Sequence, residues 1–136
     1  MTVLDNVKEI ASKFEFKPIE VPSKYENLYQ YLVDNPEKIE LYKTEKNDIY
    51  FIKKYRVHIP QGWYGFSIGL PIIPEWNNFI DKVLEYLISV DPNFEIHQIK
   101  LKFGGIDFYC NSKIIEDLFD VQTLIGKLLY DKNLIY

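Results

Sequence analysis

Between Pro74 and the Asp91-Pro92-Asn93 turn, Trp76, Phe79, Ile80, Val83, Leu84, Leu87 and Ile88 recur at helical spacing. These large apolar residues form one stripe with polar residues opposite, which predicts a long amphipathic helix. Such a helix needs a layer of other elements to cover its stripe. Pro74 suits the first turn, and Asp91-Pro92-Asn93 stops the helix. The fold class therefore depends on what the remaining chain offers as cover.

Thr2, with Asp5 three residues on, predicts a capped first helix whose apolar face is Val3, Val7, Ile10 and Phe14. Residues 15–22 hold Pro18 and Pro22 and read as an extended connector. Ser23 and Glu26 form a second capping box. It precedes a helical stripe of Tyr25, Leu28, Tyr29, Leu32 and Val33 that Asn35-Pro36 ends. Residues 38–44 and 49–59 read as two strands around a turn at Glu45-Lys46-Asn47-Asp48. In the second strand Ile49, Phe51, Val57 and Ile59 point one way, interrupted by Lys53 and Tyr55. Tyr50, Ile52, Lys54, Arg56 and His58 point the other way. Residues 94–103 and 105–110 predict a second hairpin turning at Gly104-Gly105, where glycine supplies positive φ. Ser112 caps a last helix that carries Ile115, Leu118, Phe119, Ile125 and Leu129. The expected architecture is a single α+β domain over residues 1–136. It has about four antiparallel strands in two hairpins, packed with three to four helices, in the order α-α-β-β-α-β-β-α.

The net charge of −4 weighs against attraction of the whole chain to nucleic acid or an anionic membrane. Its distribution is uneven. Residues 49–74 contain Lys53, Lys54 and Arg56 and no carboxylate, a local +3, whereas residues 75–93 carry −3. If the two hairpins lie side by side, Lys54, Arg56, His58, Lys100 and Lys102 share one open sheet face with Asp107 and Tyr109 nearby. A basic sheet face on an acidic body would take an anion such as a phosphate or nucleotide, or an acidic protein surface. The plainer alternative is a solvated face whose lysines discourage edge pairing. Trp63, Tyr64 and Phe66 sit in the Gly/Pro-rich stretch 60–74, either as a stacking or contact surface or as a plug for the core.

Chemistry-bearing motifs are sparse. His58 and His97 fall on separate predicted strands, and Glu95 is the one carboxylate placed beside His97. No metal site and no cofactor are predicted. Cys110 ends a strand with no local base and reads as a buried free thiol. None of the five serines sits in a nucleophile elbow, and no carboxylate pair is singled out for acid–base work. The N-terminal stretch MTVLDNVKEIASKF is charged throughout, and no run reaches the roughly 18 apolar residues of a membrane-spanning helix. A cytoplasmic setting with Cys110 reduced is expected.

Residues 98–109 read QIKLKFGGIDFY. This resembles a pattern, roughly QIKEKFGGLRFY, in a family of small uncharacterised bacteriophage and bacterial proteins, where an amphipathic helix precedes the motif as residues 76–88 do here. Gln98, Lys100, Lys102, Phe103, Gly104, Gly105, Phe108 and Tyr109 match, while Leu101 replaces an acidic position and Asp107 a basic one. The resemblance implies a phage or mobile-element setting. Together these features predict a small non-enzymatic binding or inhibitor protein of counter-defence or immunity type. Its candidate contact residues are Lys54, Arg56, His58, Trp63, Tyr64, Lys100, Lys102 and Tyr109. The expected partner is a bacterial protein rather than nucleic acid or membrane, and self-association is compatible with the sequence. The alternative is a binder that sequesters a nucleotide-like anion.

Overall fold

In the computed structural model, residues 2–16, 20–37, 45–60, 74–102 and 105–132 are described. Helix α1 spans Val3–Lys13. Thr2 Oγ1 accepts from the Asp5 N–H at 3.1 Å and Asp5 Oδ2 accepts from the Thr2 N–H at 3.2 Å, the reciprocal box that the spacing predicts. Val7 is fully buried, with Val3, Ile10 and Phe14 packed around it. Beyond the helix end, Phe14 and Phe16 bring their rings to 5.5 and 5.0 Å from that of Phe79.

Helix α2 spans Leu28–Asp34 and starts later than predicted. Its cap is Asn27, whose Oδ1 accepts from the Gln30 N–H at 2.9 Å; Ser23 lies in the preceding turn. Asn caps as well as Ser does. Starting at Asn27 keeps Leu28 and Leu32 on the buried face and leaves Val33 outside it. Asn35 ends the helix as expected, donating to the Tyr31 carbonyl and the Tyr25 hydroxyl.

Residues 45–58 depart most from expectation. The predicted turn at 45–48 and strand at 49–59 are helix α3 (Glu45–Lys54) and a 3-10 turn (Arg56–His58). The partner strand expected over residues 38–44 lies outside the described residues. Phe51 and Tyr55 are both buried while Lys53 between them is exposed. A strand would have pointed all three to one face. At 3.6 residues per turn, Phe51 and Tyr55 stay together and Lys53 swings away. The interruption of the alternation at Lys53 and Tyr55 was the helical signal.

Helix α4 spans Pro74–Val90 and is the predicted central helix. Phe79, Ile80, Val83, Leu84 and Leu87 are fully buried. Strands β1 (Glu95–Lys102) and β2 (Gly105–Asn111) form the predicted second hairpin, antiparallel. Ile96 pairs with Cys110 but Gln98 pairs with Tyr109, so His97 is an extra residue on β1. The bulge lets Ile96 and Ile99, three residues apart, both lie fully buried. On β2 strict alternation holds, with Ile106, Phe108 and Cys110 turned to the core.

Helix α5 spans Ile115–Asp131. Its N-cap is Ile114, with no side-chain cap, and Ser112 stands two residues before that position. The core face is Leu118, Val121, Ile125 and Leu129, with Gly126 also buried. Ile115 and Phe119, predicted on that face, are exposed. α1 packs on α4 and α5, and α5 lies along β2. One core joins Val7, Phe51, Tyr55, the α4 stripe, both strands and α5. Among the described residues the class is α+β, with five helices and a two-stranded sheet in place of two hairpins. None of these helices is long and apolar enough to cross a membrane.

Candidate functional site

The basic side chains do not share a sheet face, because Lys54, Arg56 and His58 belong to α3 and the 3-10 turn. Lys54 Nζ reaches Asp81 at 2.9 Å and Glu85 at 2.5 Å, both on α4. It also donates to the Tyr50 hydroxyl at 3.3 Å, which in turn donates to Asp81 at 2.8 Å. The Tyr55 hydroxyl donates to the same Asp81 carboxylate. Partial burial pulls the Lys54 pKa down, but the bonds to Glu85, Asp81 and Tyr50 outweigh it and hold the ammonium above its usual value. Burial, then the Asp81 carboxylate, pushes the Tyr55 phenol up. The basic stretch and the acidic helix thus meet at Lys54, one ammonium against two carboxylates, while Lys53 and Arg56 are exposed elsewhere. The Lys54 side chain clamps α3 to α4 and is committed within the fold.

Arg56 is exposed at the start of the 3-10 turn. His58 is half-buried, and its Nδ1–H donates to the Phe94 carbonyl at 2.9 Å, tying the turn to the residue before β1. On the hairpin, Lys100 stands opposite Asp107 and Lys102 opposite Gly105, while the exposed Tyr109 stands opposite Gln98. Trp63 and Tyr64 lie outside the described residues. His97 Nε2 sits 3.3 Å from Glu95 Oε2, the neighbour expected from the strand pattern. Among the described residues no group of three His, Cys, Asp or Glu side chains is placed to hold a metal ion. Cys110 is a free thiol that burial pushes up to about 12, well away from a nucleophilic thiolate.

At the other end of the hairpin, Asp91 joins two turns. Its carboxylate accepts from Ser112 Oγ at 2.6 Å, the Asn93 N–H at 3.0 Å and the Lys113 N–H at 3.1 Å. The Ser112 bond above all holds the Asp91 carboxyl below its usual value. Ser112 Oγ then accepts from the Ile114 N–H at 3.2 Å. Beside this knot a polar cleft of about 350 Å³ is lined by Asp91, Asn93, Glu95, Asn111, Ser112 and Lys113. Asp91 is occupied by its turn partners, so the cleft reads as the outside of a structural junction.

The surface that sequence reasoning missed is on α5. Phe119 is 68% exposed and Ile115 53% exposed. At i and i+4 they are neighbours on the helix. Glu116 and Asp120, to one side of the pair, are exposed, and no ion pair among the described residues engages them; Asp117 lies about 160° round the helix from both, on the opposite face. Gln122, three residues after Phe119, accepts from the Phe108 N–H of β2 at 3.0 Å. That bond sets the helix position next to Phe119 against β2. The available signal was angular. Leu118, Val121, Ile125 and Leu129 already complete one stripe at 100° per residue, and Ile115 and Phe119 fall outside it. Comparison with protein-family models, curated proteins and solved structures finds no match.

Proposed function

We propose that this protein is a small non-enzymatic binding protein that acts in the cytoplasm by engaging and neutralising a bacterial protein. The KFGGIDFY resemblance supports a phage or mobile-element setting for that role. The observation that carries the reading is the exposed Ile115–Phe119 pair on α5. Large apolar side chains scattered singly on a surface are ordinary, whereas these two are neighbours on one helix face, and contact sites are built around apolar anchors with a polar rim. Sequestration of a nucleotide-like anion is the weaker reading, since Lys54 already spends its charge on Asp81 and Glu85. Affinity capture from a bacterial lysate tests the proposal, using the full chain and an Ile115→Ser/Phe119→Ser variant that retains the wild-type fold by circular dichroism. The expected result is a protein retained in stoichiometric amount by the wild type and lost with the variant. Identical captured sets from both would sink the reading. So would a clear thermal shift with a nucleotide, which would favour the anion binder.

A further inference from the structure

We draw no further inference here: the strongest candidate, the exposed Ile115–Phe119 pair on α5, belongs to the site already described and is bordered by exposed side chains of both signs, Glu116 and Asp120 as well as Lys113 and Lys127, so that nothing in the structure shows what covers it.

Discussion

Asp91 carries more of the local order than its place in a stop signal implies. The Asp91-Pro92-Asn93 sequence announces the end of a helix, and the first bond of that turn, from the Asn93 N–H, is local. The bonds from Ser112 and the Lys113 N–H come from more than twenty residues away, and no spacing rule anticipates them. Ser112 was legible as a helix-start residue, but its hydroxyl proton goes to Asp91 and the cap position falls to Ile114. An Asp91→Asn variant should unfold at lower urea than the wild type, read by circular dichroism. The Asp91 carboxyl is held below its ordinary value by Ser112 and the turn amides, so its stabilising effect is present above the ordinary carboxylate range. It is lost as pH falls through the depressed native value. The gap between variant and wild type should therefore be widest near neutral pH and close in acid. A gap that does not change with pH would place the effect in packing rather than in the charge.

At the level of elements, the strongest periodic signals survived intact. Helix α1 with its capping box, helix α4 and the hairpin were readable because each follows one period over many residues with a stop signal at its end. Residues 45–58 were misread because a stretch that short fits a broken alternation and a helical face nearly equally. What decides for the helix is α4. Only a helix brings Tyr50 and Lys54 to Asp81 while Phe51 and Tyr55 enter the core. The clamp is partly buried, with the Asp81 side chain 16% and the Lys54 side chain 30% exposed, so its contribution lies between a surface and a buried pair. Lys54→Ala should lower stability by about 1–2 kcal/mol in urea unfolding. A double-mutant cycle with Asp81→Ala should return a coupling of at least about 0.5 kcal/mol. Additive effects would mean that the contact does not hold α3 in place.

Across the whole molecule, the core and the proposed contact face can be separated by experiment. Phe79 is fully buried and touches the Phe14 and Phe16 rings. Phe79→Ala should therefore cost about 3–5 kcal/mol. Phe119→Ser should change stability by no more than about 0.5 kcal/mol, as exposed sites generally do, measured in the same unfolding experiment. A large loss at Phe119 would return it to the core and remove the contact face. The sequence by itself determined the α+β class, the central helix, the capped first helix and the Gly-turned hairpin, because periodicity, caps and turn chemistry are local properties of consecutive residues. It also located the +3 and −3 stretches. Only the tertiary structure decided that these stretches meet through Lys54 at the α3–α4 contact, and that the α5 pair faces outward. Ion pairing and burial depend on which distant surfaces meet, and a side chain such as Lys54 or Phe119 has no fixed role until its neighbours are in place.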